Sequence, residues 1–95
     1  MTEINWREFE EVFFTAKELA KNKSHDYGTQ SLIAFGSMGC VIRLYDKVNR
    51  LKNLTTNQYE TMAVKDESIE DTCLDIINYA IYTILLNKKI LIQKK

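Results

Sequence analysis

From Asp66 to Leu86 the chain reads D-E-S-I-E-D-T-C-L-D-I-I-N-Y-A-I-Y-T-I-L-L. Ile69, Cys73, Ile76, Ile77, Ala80, Ile81 and Ile84 recur there at three- and four-residue steps, so a helix lines them up on one face. Glu67, Asp71, Asp75 and Asn78 recur in the same manner and form a second, polar stripe. Asp75 is the odd member, set between Leu74 and Ile76 in an otherwise apolar run. An ionised carboxylate there needs a cation, a metal or hydrogen-bond donors, or its pKa shifts. The pattern predicts a long helix with an apolar and an acidic side, and it makes what Asp75 faces the central question.

Two further helices precede it. The first is expected from Asn5 to about Lys21, with Phe9, Phe13, Ala16, Leu19 and Ala20 as its apolar face and Trp6 and Val12 flanking. Asn5 can cap its start, with Glu8 three residues on as in a capping box. K-N-K-S-H-D-Y-G, from Lys21 to Gly28, breaks the period and is dense in loop formers, so it reads as a connection with Gly28 at positive φ. It also holds the single histidine, His25, and as a loop on a rigid scaffold it could bind. Capped by Thr29 or Ser31, a second helix is expected to about Leu54, apolar through Leu32, Phe35, Val41, Ile42, Tyr45, Val48 and Leu51. Gly36 and Gly39 inside it each cost ~1 kcal/mol against alanine, which close packing, a ligand near the backbone or a local break would explain. Lys52 to Lys65 reads as a loop with one helical turn near Tyr59 to Val64. The last helix then starts near Asp66 or Ser68, and its lysine-rich tail can extend it.

Composition narrows the class. Ninety-five residues make one small domain, of the size that often gains stability by oligomerising. The absence of proline, with three glycines, fits an all-α bundle of three to four helices. Thirteen basic and thirteen acidic residues cancel, so no global field draws the chain to nucleic acid or anionic lipid. No apolar run is long enough to span a membrane, and the start lacks the pattern of a secretory signal. Cys40 and Cys73 are not spaced as a disulfide framework or zinc site, so they read as reduced core thiols in a cytoplasmic protein.

The chemistry lies in a second pair of stripes. Arg43, Lys47 and Arg50 share a face of the second helix, with Asp46 on the same side. As a solvated face these residues would contribute ~0.2–0.5 kcal/mol per intrahelical pair. Set against the acidic stripe of the last helix they permit three things. Arg43 or Lys47 can pair with Asp71 or Asp75 and fix which helices pack. Asp46, Glu67, Asp71 and Asp75 could hold magnesium through oxygen. Arg43, Lys47 and Arg50 could hold phosphates as charge-assisted partners.

K-x-x-D-Y-G (Lys23, Asp26, Tyr27, Gly28), I-R-L-Y-D-K-V-N-R-L (Ile42 to Leu51) and E-S-I-E-D-T-C-L-D-I-I-N-Y-A (Glu67 to Ala80) resemble the nucleotide-modification-associated domain of the first type. That family is found largely in phages and their bacterial hosts and is similar to the MazG-type all-α nucleoside triphosphate pyrophosphatases. The resemblance implies a helical bundle that binds a nucleotide and is built as a homo-oligomer. The pyrophosphatases hold magnesium on a Glu-x-x-Glu pair and a later Glu-x-x-Asp pair. This chain departs from that pattern, with Arg43-x-x-Asp46 on the second helix and Glu67, Glu70, Asp71 and Asp75 on the last. An arginine in place of an acid favours a phosphate over a divalent cation.

The leading expectation is therefore a small phage-type protein that binds a nucleotide through Lys23, Asp26, Tyr27, Arg43, Lys47, Arg50, Asp75 and Asn78. Such a protein would suit sequestration of a host nucleotide or nucleotide signal. Tyr27, Tyr45 or Tyr79 could stack on a base. The alternatives are a magnesium-dependent pyrophosphohydrolase, with Asp46, Glu67, Asp71 and Asp75 as metal ligands, and a structural or interaction module. A bundle this small and aromatic is expected to complete its core, and its pocket, across a subunit interface.

Overall fold

The computed structural model describes residues 2–27, 34–56 and 62–89, with the side chains of 26–27 and 62–67 outside that description. Three helices make up the described chain: α1 (Trp6–Tyr27), α2 (Gly36–Thr56) and α3 (Met62–Asn87). The all-α expectation holds. None of these helices is long and apolar enough to cross a membrane.

Local chemistry sets several helix ends. Asn5 Oδ1 accepts the Glu8 N–H at 3.2 Å, the capping bond expected from the sequence. At the other end α1 runs on to Tyr27, so the expected connection from Lys21 is helical as far as that residue. Weak helix formers there are overridden by tertiary contact, because Lys23 on this extension pairs with α3. The expected turn at Gly28, caps at Thr29 and Ser31 and apolar Leu32 lie outside the described residues.

α2 begins at Gly36, after a turn at Ala34 and Phe35, rather than near Thr29. Gly36 has φ +65°, which an L side chain rarely adopts, so of the three explanations for the glycines the local break is the one observed. A Cβ on Gly39 would stand 2.8 Å from the Phe35 Cβ, so that glycine leaves room for the turn to fold onto the helix. At the C-terminus of α2, the Thr55 and Thr56 hydroxyls each donate to the Lys52 carbonyl at 2.9 Å, local side-chain bonds that fold both threonines back onto their own helix. α3 starts at Met62, about one turn earlier than expected, and absorbs the second half of the turn read at Tyr59 to Val64. It ends at Asn87, with Lys89 at φ +57° and its N–H bonded to the Leu86 carbonyl at 3.2 Å; the tail from Ile90, which could extend it, lies outside the described residues.

α2 and α3 form the main pair, and α1 packs on α3. The α2 residues turned inward are Cys40, Leu44, Lys47, Leu51 and Leu54, at steps of four, three, four and three. Of the apolar face read from the sequence, Leu51 turns inward, whereas Phe35, Val41, Ile42, Tyr45 and Val48 are all exposed. α3 shows a related reversal. Asn78, Thr72 and Leu74 are buried, whereas Ile81 and Ile84 of the expected apolar stripe are exposed. Both helices are apolar on more than one side, so periodicity alone names two faces and cannot choose between them.

α1 is anchored only by its second half. Ala16 is buried and its carbonyl accepts a hydrogen bond from Asn78 Nδ2 at 2.9 Å, while residues 2–15 are exposed. Thr72 is satisfied within its own helix by the Ser68 carbonyl at 2.7 Å. Buried polar groups cost stability unless bonded in this way. Asn78→Ala should lower the unfolding free energy by about 1–2 kcal/mol, by loss of its bond to α1. Leu74→Ala should cost about 2–4 kcal/mol, by the cavity it leaves. Urea denaturation of both variants checks the order.

Candidate functional site: a carboxylate held between two lysines

Asp75 lies on the side of α3 that meets both other helices. Lys23 of α1 reaches its Oδ1 at 2.9 Å. Lys47 of α2 reaches its Oδ2 at 3.0 Å. The two ammonium groups therefore come from different helices and take different oxygens of one carboxylate. The Asp75 side chain is 14% exposed, against 49% for Lys23 and 31% for Lys47, so the acid is covered and the cations reach solvent.

Burial pushes the Asp75 carboxyl up, but hydrogen bonds and charge from Lys23 and Lys47 outweigh it and hold the pKa below the ordinary carboxylate value. Asp75 is thus a fixed anion that neutralises one of two cations, leaving the trio with one net positive charge. With lysines this exposed, the pairing supplies orientation more than stability.

Other residues gather around this trio. Asn78, one turn along α3, is committed to the Ala16 carbonyl and so positions α1. Tyr82, seven residues on from Asp75, is half-buried, and burial together with the neighbouring Tyr79 pushes its hydroxyl pKa up, so it stays neutral. Its ring meets that of Tyr79 edge-on, with centroids 5.9 Å apart. Lys23, Asp75 and Cys40 all lie near enough to act electrostatically on Tyr82. Cys40 is buried, which pushes its thiol pKa up and makes it unreactive. The sequence reading passed over Tyr82. Its spacing from Asp75 and Asn78, seven and four residues, would have placed it on their stripe.

The expected site residues divide. Lys23, Lys47, Asp75 and Asn78 come together where α1 and α2 meet α3. Arg43 and Arg50 flank Lys47 on α2, both exposed, and neither pairs with an acid among the described residues. Of the pairings the stripes allowed, Lys47 with Asp75 is the one present; the second cation on Asp75 comes from α1. Asp26 and Tyr27 end α1, and their side chains lie outside the described residues, as does that of Glu67.

A magnesium centre does not fit the donors that are described. Both oxygens of Asp75 are taken by ammonium groups, and Asp46 and Asp71 are exposed. Among the described residues no three potential metal-ligating side chains converge. Magnesium is held by carboxylate oxygen, and a cation in contact with that oxygen opposes it. The arrangement instead offers hydrogen-bond donors with positive charge, next to two exposed arginines. That is the chemistry of an anion site.

The fold and this trio define a small all-α domain with a cationic cluster organised by one covered carboxylate. The profile of the nucleotide modification associated domain 1 family matches residues 23–86, about two-thirds of the chain, and the protein belongs to that family. The match begins at Lys23 and ends one residue before the end of α3, so it contains all three members of the trio. Comparison with curated proteins and with solved structures gives no match.

A thermodynamic cycle separates the observed pair from its neighbour. Lys47→Ala and Asp75→Ala should couple by about 0.5–1 kcal/mol, whereas Arg43→Ala and Asp75→Ala should add. Urea unfolding of the single and double variants measures both couplings. The depressed pKa also fixes a direction with pH. Asp75 contributes stability above its unfolded value of 3.8, and the contribution is lost as pH falls through the lower folded value. Asp75→Asn should therefore lower the melting temperature at about pH 7, and the gap from wild type should close below about pH 4. Thermal unfolding across that range is the check.

Proposed function

We propose that this protein binds a nucleotide through its phosphates. Lys23 and Lys47 would be the inner donors, Arg43 and Arg50 would flank them, and the ligand would be held rather than hydrolysed. The observation that carries this reading is the convergence of two lysines from separate helices on a single covered carboxylate. Asp75 engages both lysines, one on each carboxylate oxygen, aiming the cations without cancelling their joint charge. Asp75 spares the site the cost of gathering two like charges when a phosphate arrives. Such preorganisation raises affinity by lowering the cost of ordering the site. The family's description, which associates the domain with nucleotide modification, agrees with this ligand class.

The rest of the proposal follows from the same chemistry. Asp26 and Tyr27, at the end of the helix that carries Lys23, would contact sugar or base, and Tyr79 would present a ring to the base. Holding without turnover suits a protein that withdraws a nucleotide or nucleotide signal from a cytoplasmic pool, as a phage protein would in its host. The functional unit would be a homo-oligomer.

A thermal-shift screen of nucleotides, cyclic nucleotides and ADP-ribose-type molecules tests the reading, each with magnesium and with EDTA. A ligand at 100 times its Kd should stabilise the protein by ~2.7 kcal/mol. The shift should survive EDTA. Lys47→Ala or Arg43→Ala should weaken binding about 10- to 100-fold, the loss of one charge-assisted bond. If no compound on the panel raises the melting temperature, the reading is wrong. A shift that requires magnesium, with release of pyrophosphate, would replace holding by hydrolysis.

A further inference from the structure

α1 and α2 both pack on α3, and Asp75 lies between them, bonded to Lys23 on one side and Lys47 on the other. Asn78 and Tyr82 follow Asp75 at steps of three and four residues, on the same stripe of α3. Lys47 meets Asp75, and Cys40, seven residues back along α2, lies near Tyr82, seven residues on along α3. The two helices therefore run antiparallel. Arg43 stands on the Tyr82 side of the trio and Arg50 on the other, so the cationic cluster has two different ends.

Tyr82 brings unused hydrogen-bonding capacity to one of those ends. Thr72, Asp75, Asn78 and Thr83 of the same helix all have partners. The Tyr82 hydroxyl makes no hydrogen bond to a described residue. No buried side-chain oxygen lacks a partner among the described residues, so this hydroxyl, on a half-buried side chain, reaches solvent. Burial and the neighbouring Tyr79 keep it neutral, able to donate as well as accept. Its ring is steadied edge-on by Tyr79, with centroids 5.9 Å apart.

Seven residues of helix separate Asp75 from Tyr82 by about 10 Å along the axis. That is too far for a phosphate held by Lys23 and Lys47, and close to the length of a nucleotide from phosphate to base. An aromatic ring with an unbonded hydroxyl suits a base, which has a face to stack and a polar edge to bond. Arg50, at the other end, suits phosphates beyond the first. We propose that Tyr82 is the base contact of the site, so that the nucleotide lies along α3 with its base on Tyr82 and its terminal phosphates toward Arg50. The inference rests on the nucleotide reading, which leaves the base between Tyr27 and Tyr79, and it assigns the base to the α3 end. A hydroxyl bonded to a base edge also selects among bases, because the wrong edge leaves it unpaired.

The test is titration calorimetry of the full chain with AMP, GMP, CMP and UMP, their triphosphates, and ribose 5-phosphate, on wild type, Tyr82→Phe and Arg50→Ala. Because the Tyr82 hydroxyl has no partner among the described residues, Tyr82→Phe should melt as wild type does without ligand. It should weaken the tightest monophosphate about 3- to 10-fold, the loss of one neutral hydrogen bond, and leave ribose 5-phosphate unchanged. Arg50→Ala should weaken the matching triphosphate about 10-fold and spare the monophosphate. A monophosphate affinity unchanged by Tyr82→Phe overturns the inference while the nucleotide reading stands. So does an equal loss for ribose 5-phosphate, which would put Tyr82 on sugar or phosphate, and so does an Arg50→Ala loss greater for the monophosphate, which would reverse the ligand. If Tyr82→Phe fails to fold, nuclear Overhauser contacts from base protons to the Tyr82 ring of wild type decide instead, and contacts to other tyrosines alone overturn the inference. If no nucleotide binds wild type, the nucleotide reading fails and this inference falls with it.

Discussion

The structure turns on one largely covered charge. Asp75 is an anion on the side of α3 that faces its neighbours, and removing a carboxylate from water is costly unless cations compensate. That requirement is met twice, from two different helices. Because Lys23 sits near the end of α1 and Lys47 in the middle of α2, satisfying Asp75 ties all three helices to one point. The Asn78 bond to the Ala16 carbonyl adds a second tie on the same stripe, one helical turn away. Between them they account for why α1, with an otherwise thin contact, is held on α3 at all.

A device that fixes packing also organises a site. A carboxylate that collects two lysines keeps like charges close, which they would not do alone, and turns them toward solvent. Had a second carboxylate faced Asp75, the same geometry would have favoured a divalent cation. The lysines reverse that preference and present donors with positive charge. Membership of the nucleotide modification associated domain 1 family is consistent with a ligand of this kind. The arginines flanking Lys47 extend the positive surface without joining the trio.

The apolar residues follow a different logic from the polar ones. In each helix the apolar stripe expected from periodicity is partly exposed. Phe9 and Phe13 of α1 and Val41, Tyr45 and Val48 of α2 are the clearest cases. Of the polar stripe of α3, by contrast, Asn78 is buried and Asp75 is largely covered. A chain of this size has few apolar residues to spend, and here they are spread over two sides of its helices.

The sequence by itself determined that the protein is helical, where α1 starts, and that Asp75 demands a partner. These follow from period, from the Asn5 cap bonded to Glu8, and from the cost of an unpaired charge, all of which are local. It also placed Lys47 and Asp75 on facing stripes. Only the tertiary structure decided that Lys23 is the second partner, because that contact joins residues 52 positions apart and converts an expected connection into helix. It alone chose between the two apolar faces of α2, since a 3.6-residue period reports which residues share a side and not which side is covered. The break at Gly36 was one of three readings of a costly glycine until its backbone angle settled the choice. Local physics wrote the elements, and the geometry between them decided which surfaces became interior.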